Sequence, residues 1–359
     1  MNEEYRCILC AELAHTIGFN ILLGVMSCIS LLAIVAEIYS MKRTTINITV
    51  HSNTRILILA HQIVLILHCL ARLHAHISDL YLFTRSYTNP CDYLSTATRC
   101  FFLRTPITWT FFMSACSVSG IVAERTIATF FSAKYERMGK SVSVLLISME
   151  ILVTSLLFFL VVYDVNMLGS TKVAVYCASL NEDNAKSSIG VLSFLFGVDV
   201  ASAFLLPILL CINKKSRKNE IHTNLSHRYQ MSENIASIRT LLPLLFFHSI
   251  VYAIFISAIL IYFLTQQEWS QRAYAIFLES VQLSPVYALL LPVMLRYTQR
   301  RVQKRQMETL NSVMGFTKKE ATDLYFETFQ RLPKPKARHQ NDTNKKRRYD
   351  GAKQCVKMN

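Results

Sequence analysis

The chain has 359 residues, 52% of them hydrophobic, with a mean hydropathy of +0.31. Only 17% are charged, yet the net charge is +15. This argues against an ordinary soluble domain and leaves two readings of the basic excess, nucleic-acid binding or charge sorting across a membrane. The apolar residues decide for the membrane, because they come in uninterrupted runs of spanning length.

The first 17 residues carry Glu3, Glu4 and Glu12 against Arg6, with no basic segment leading into an apolar core. A cleavable signal peptide is therefore not expected, and the first span is expected to act as a signal anchor. Seven apolar runs follow, at about 18–40, 56–76, 101–129, 142–163, 189–212, 240–264 and 273–296. At 1.5 Å per residue each is long enough for a span of roughly 20 residues. They predict an all-α membrane protein, with a seven-helix bundle over 18–296. An N-terminal segment, 1–17, precedes the bundle and a basic tail, 297–359, follows it. Residues 298–330 are expected to form an amphipathic helix with Arg300, Arg301, Lys304 and Arg305 toward anionic lipid head groups. Thr317 with Glu320 reads as a capping box before Ala321, Leu324, Tyr325, Phe326 and Phe329. Beyond Pro333 the chain is Lys/Arg-rich and expected to be disordered. Lys345 to Arg348 resembles a nuclear signal, but a solvated, lipid-attracted tail is the better reading, so no nucleic-acid partner is expected.

Charge distribution orients the bundle. The connections after spans 1, 3 and 5 carry +3, +2 and +4, and the segment from Arg296 onward carries +11, so one face holds +20. The N-terminal segment and the connections after spans 2, 4 and 6 hold −3, and the spans themselves −2. The N-terminus is expected outside and the tail in the cytosol. The sequons at Asn47, Asn224 and Asn341 then fall on the cytosolic side and are expected to be unused.

There are ten cysteines. They form no Cys/His cluster with zinc spacing, so no metal is expected. Cys100 stands at the outer end of the third span, and Glu124-Arg125 at its inner end. Their 25-residue separation is about 37 Å of helix, one bilayer with its interfaces. Cys177 lies in the connection after span 4, on the same oxidising face, so a Cys100–Cys177 disulfide is expected there. Cys91 is a rival for either partner, and Cys7 and Cys10 compete as well. Cys28, Cys69, Cys116 and Cys211 fall within spans and read as packing residues.

Ionisable groups deep in spans are costly and are functional candidates by default. Arg104, Asp199, Glu150, Glu279, His68, Arg72 and His74 are the set here. Arg104 can pair with Glu279 or Asp199 and line an outer ligand pocket; the competing reading of each group is a structural ion pair. Arg104, Glu279, Asp199, His68 and Arg72 are the ligand-binding candidates. Pro207, Pro243, Pro285 and Pro292 would kink their helices. The Glu124-Arg125 pair resembles the acidic-Arg pair of rhodopsin-like receptors, an activation switch; the competing reading is a snorkelling interfacial ion pair.

Several stretches together resemble one family. They are His68-Cys-Leu-Ala-Arg72-Leu-His74 with Ser78-Asp79-Leu80, Asn89-Pro90-Cys91, and Arg99-Cys100-Phe-Phe-Leu-Arg104. Glu124-Arg-Thr-Ile-Ala-Thr129, Lys134-Tyr135-Glu136 and Leu225-Ser-His-Arg-Tyr-Gln230 with Glu233-Asn234 follow. The tail adds Gly315-Phe316, Glu320 and Tyr325-Phe326. The chain resembles the nematode serpentine chemoreceptors of class alpha/beta, which are related to class alpha. The resemblance implies a seven-transmembrane bundle of the G-protein-coupled receptor type, with Cys100 as the disulfide cysteine of the third span. It also implies chemosensory signalling through a heterotrimeric G protein, in the plasma membrane and in sensory cilia. Thr126 departs from the acidic-Arg-Tyr triplet of rhodopsin-like receptors. The seventh span has no NPxxY, and the sixth no CWxP.

The expected partners are a small-molecule or peptide ligand, a heterotrimeric G protein and membrane lipids, including anionic inner-leaflet lipids. Lys134, Arg137, Arg228 and Arg239 are the candidates for G-protein contact. No cofactor is expected. The alternative is a ligand-gated channel or transporter of the plasma membrane, against which no internal repeat is seen. A retinal protein would need a Schiff-base lysine, and none lies between 273 and 296. An enzyme would need clustered nucleophile, base or metal ligands, and the scattered histidines do not supply them.

Overall fold

In a bilayer core there is no water to satisfy backbone N–H and C=O groups, so apolar runs of this length must close their hydrogen bonds internally as helices. The computed structural model describes residues 3–46, 48, 50–135, 138–163, 173–178, 184–219, 225–265, 270–314 and 322. Its helices are α1 (Glu3–Ala14), α2 (Ile17–Ser40), α3 (Ser52–Phe83), α4 (Ala97–Phe130), α5 (Ser132–Tyr135), α6 (Ser141–Val162), α7 (Ala185–Asn219), α8 (Leu225–Thr265), α9 (Gln271–Val281) and α10 (Ser284–Met314). Seven stretches are long and apolar enough to cross a membrane: 17–45, 52–83, 97–130, 141–162, 185–217, 230–265 and 271–305. The chain is a multi-pass membrane protein.

α4 is the axis of the bundle. In its apolar window 72% of residues are buried, against 22% in α6 and 28% in α7. It packs on α3, α6, α7 and α8. Phe111, Phe112, Val118 and Ile121 of α4 enter one continuous core with Leu65 of α3, Leu192 of α7, Tyr252 of α8 and Tyr287 of α10. α6 instead turns Leu145, Leu152 and Phe159 outward, as a helix wetted by lipid would.

The elements differ from the sequence expectation in three places. Residues 3–14 of the N-terminal segment are helical, and Cys10, Leu13 and Ala14 pack against Phe19, Leu23, Phe83, Tyr93 and Val175. The helix of the sixth span starts at Leu225, well before the apolar run. The seventh span is two helices, broken at Gln282 (φ −81°, ψ 81°). Pro285 cannot donate a backbone hydrogen bond, so it sits in the first turn of α10, where none is needed. Pro106, Pro207, Pro243 and Pro292 lie inside continuous helices.

At the α1 end of the bundle, β1 (Ser95–Thr96) pairs antiparallel with β2 (Val173–Ala174), with Ser95 opposite Ala174. The structure divides into two units, 1–303 and 304–359. In the second, exposed Lys304 and Glu308 lie 4.0 Å apart, one helical turn apart. The three sequons, the expected capping box at Thr317 and Glu320 and the chain beyond Pro333 lie outside the described residues.

Candidate functional site

Two polar clusters stand at opposite ends of the bundle. The first lies at the α1 end. Residues at positions 72, 76 and 79 share one face of α3, because they follow the four-and-three spacing of a helix. Arg72, His76 and Asp79 are all buried there. Arg104 faces them from α4 and Glu279 from α9. Glu279 is the hub: Arg72 Nη2 donates to Oε2 at 2.7 Å, and His76 Nε2 lies 3.0 Å from the same oxygen. Arg104 Nη1 donates to Oε1 at 2.9 Å, and the Tyr176 hydroxyl at 2.6 Å. Arg104 Nη2 also donates to Asp79 Oδ2 at 2.7 Å and to the Tyr176 oxygen at 2.6 Å. The break at Gln282 turns that side chain onto Arg72, and brings Ser284 Oγ within 2.8 Å of His68 Nε2.

Tyr176 sits beside Cys177, whose sulfur is bonded to that of Cys100 (S–S 2.07 Å). The disulfide carries the loop over the cluster. Burial holds the Tyr176 hydroxyl protonated far above the ordinary phenol range, with Arg104 opposing and Glu279 adding to it. Beneath the loop is a small cavity. Arg104, Thr108, Glu279 and Gln282 form its polar wall, and Ile107, Phe111, Phe112, Phe255 and Leu278 its apolar one. From there a ring stack runs into the bundle. Phe111 stacks on Tyr252 (4.8 Å between centroids), and Tyr252 on His248 (3.9 Å).

Cys7-Ile8-Leu9-Cys10 is a C-x-x-C pair whose thiols part ways. Cys7 is joined to Cys91 (S–S 2.04 Å), while Cys10 is free and buried. Cys10 Sγ donates to the Tyr93 and Val175 carbonyls at 3.2 and 3.3 Å. Burial first, then Asp79, pushes its thiol up to about 12, with Arg99 opposing. Among the described residues no group of three His, Cys, Asp or Glu could hold a metal.

The second cluster centres on Glu124-Arg125 near the end of α4. Arg125 Nε donates to Glu124 Oε2 at 2.6 Å, and Nη2 donates to Oε1. The Tyr135 hydroxyl of α5 donates to Glu124, and Thr54 of α3 adds a longer contact at 3.2 Å. Burial and Glu124 hold the Tyr135 hydroxyl protonated, above the usual phenol value. Arg125 Nη1 reaches Asn234 Oδ1 of α8 at 2.9 Å. Asn234 Nδ2 donates to Thr129 Oγ1 and to Asn213 Oδ1, both at 3.0 Å. One asparagine thus ties α4, α7 and α8 together beside the arginine. A cavity opens there, lined by His51, Arg125, Ala128, Tyr135 and Asn234 among others.

Arg104, Glu279 and Arg72 therefore meet, while His68 lies deeper on α3, between Thr110 Oγ1 (2.9 Å) and Ser284. Asp199 does not pair with Arg104. It is 3.3 Å from His248 Nδ1 and 3.1 Å from Ser249 Oγ, lower in the bundle. His74 is exposed, on a different face from Arg72. Glu150 is buried against Gly120, where a Cβ would collide with its carboxylate. Among the described residues neither Glu150 oxygen has a hydrogen-bond partner. Arg239 is exposed on α8. Arg137 and the side chains of Lys134 and Arg228 lie outside the described residues. His76, Asp79, Tyr176, Gln282 and Asn234 were not among the expected site residues; the helical spacing from Arg72 points to the first two.

Among characterised proteins the chain is 28% identical to serpentine receptor class alpha/beta-14 of Caenorhabditis elegans over 221 residues, 58% of this chain and 55% of that one. It is 24% identical to serpentine receptor class alpha-39 of the same organism over 169 residues, 47% of this chain and 44% of that one. The matched stretches thus span about half the length of these relatives. The family model described as serpentine type 7TM GPCR receptor class ab chemoreceptor matches residues 4–333, and the chain belongs to that family.

Proposed function

We propose that the chain is a plasma-membrane chemosensory receptor that binds an extracellular small molecule or peptide beneath the Cys177 loop and activates a heterotrimeric G protein from its Arg125 end. One observation carries this reading. Arg125 is held by Glu124 on its own helix and by Asn234 on α8, at the mouth of a cavity at the end opposite the disulfides. Such a contact can be exchanged for one to a partner when α4 and α8 separate.

The proposed orientation puts the N-terminus outside and the tail in the cytosol. The +20 face supports it, as do the two disulfides sharing the end with α1. Arg104, Glu279 and Arg72 are the proposed ligand-site residues, with Asp79, Tyr176 and Gln282 added. His68 and Asp199 are proposed to relay the change rather than touch ligand. Lys134, Arg137, Arg228 and Arg239 remain proposed contacts for the G protein, and the basic face of α10 for anionic lipid.

The test is Arg125→Ala in cells that respond to a ligand. Agonist-evoked G-protein activation should vanish while surface expression persists; an unchanged response removes Arg125 from the switch. Glycosylation acceptors inserted before residue 3 should be modified and those in the tail should not, and the reverse pattern overturns the orientation.

A further inference from the structure

The cavity beneath the Cys177 loop is bordered by a charge set that is already closed. Arg72 and Arg104 supply two positive charges, Asp79 and Glu279 two negative ones, and none of the four is more than 6% exposed. Each guanidinium has a carboxylate within 2.9 Å, and each carboxylate a guanidinium. His76 and Tyr176 complete Glu279 with hydrogen bonds. Arg99 approaches Asp79 only at 3.7 Å and is 31% exposed, so solvent screens it. An anionic ligand would have to take a guanidinium from a buried carboxylate, and a cationic one a carboxylate from a buried guanidinium. Either exchange leaves an uncompensated charge in a low-dielectric site. The other wall carries no charge: Phe111, Phe112, Phe255 and Leu278 face the same space. Among the described residues Arg72 Nε, His76 Nδ1 and Arg104 Nε have no hydrogen-bond partner, and all three are buried away from the cavity space.

We infer that the ligand is uncharged, with an aromatic or aliphatic body against the phenylalanines. The inference rests on the cavity being the ligand site. The closed pairs make the site selective by charge as well as by shape, because a wrong charge costs more than a missing methylene.

The probes are three molecules sharing a phenylethyl body: 4-phenylbutan-2-one, 3-phenylpropanoate and 3-phenylpropylammonium. Each is titrated at neutral pH against the full-length receptor in nanodiscs, reading the shift of the unfolding midpoint. The ketone should bind with an affinity about tenfold or more above either ion. Ala178→Trp, a loop substitution that fills the cavity without altering a helix, should abolish the ketone shift. Asp79→Asn releases one partner of Arg104 and should move the carboxylate-to-ketone ratio by roughly tenfold toward the carboxylate. An ion binding as tightly as the ketone, and lost in Ala178→Trp, overturns the uncharged ligand and leaves the cavity as the site. An unmoved ratio in Asp79→Asn overturns the closed-charge argument. Binding that survives Ala178→Trp, or no binding by any probe, overturns the cavity as the ligand site.

Discussion

Arg104 Nη1 on α4 lies 2.9 Å from Glu279 Oε1 on α9, and the same glutamate holds Arg72 of α3 through its other oxygen. One carboxylate therefore neutralises two buried guanidiniums from two helices. Asp79 serves Arg104 alone among the buried arginines. Removing one partner of a buried pair costs about 3–5 kcal/mol, since the other charge is stranded. Glu279→Leu should thus lower the unfolding midpoint of the purified receptor clearly more than Asp79→Leu. Equal midpoints would mean that Glu279 is not the hub.

Glu150 presents the reverse case. It is 6% exposed, and neither of its oxygens is paired among the described residues. An unsatisfied buried polar group costs about 1–3 kcal/mol, so Glu150→Leu should raise the unfolding midpoint. A fall in the midpoint would reveal a partner for the carboxylate.

Cys10 offers a test at the α1 end. The thiolate is the reactive form, and this thiol titrates at about 12 in place of its ordinary 9.0. Folded receptor at pH 8 should resist maleimide at Cys10, and unfolding should expose it. The sign for stability follows: the raised value stabilises the fold below pH 9.0 and that contribution is lost as pH climbs toward about 12. Rapid labelling of Cys10 in folded receptor would contradict its burial.

Asn234 links Arg125 to Thr129 and Asn213. Asn234→Leu should loosen α8 from α4 and α7 and raise ligand-free signalling several-fold, the effect of a shift on the order of 1 kcal/mol in a two-state equilibrium. Basal output at the wild-type level would place the lock elsewhere.

Most of the bundle was legible because lipid forces one solution on long apolar runs, and the seven runs are the seven spanning stretches. The break at Gln282 was not legible in hydropathy, since both halves stay apolar across it; only Pro285 hinted at it. Helix α1 escaped because its sequence carries Glu3, Glu4 and Arg6 and is too short to span. In the cluster around Glu279, the stripe Arg72, His76, Asp79 was readable from helical period, whereas Arg104 had two candidate partners 95 and 175 residues distant, Glu279 being the farther. Periodicity says which residues share a face but not which faces meet. Tyr176 and Asn234 lie outside any charge pattern, and their roles come from the packing of the Cys177 loop and of α8.

The most direct measurement is nucleotide exchange on purified heterotrimeric G proteins mixed with reconstituted receptor. Wild type, Asn234→Leu, Arg125→Ala and the double variant would be compared with receptor-free vesicles. Exchange should rise in Asn234→Leu and fall to the receptor-free level whenever Arg125 is replaced, with all four proteins equally folded. Exchange that is indifferent to Arg125 would contradict the account.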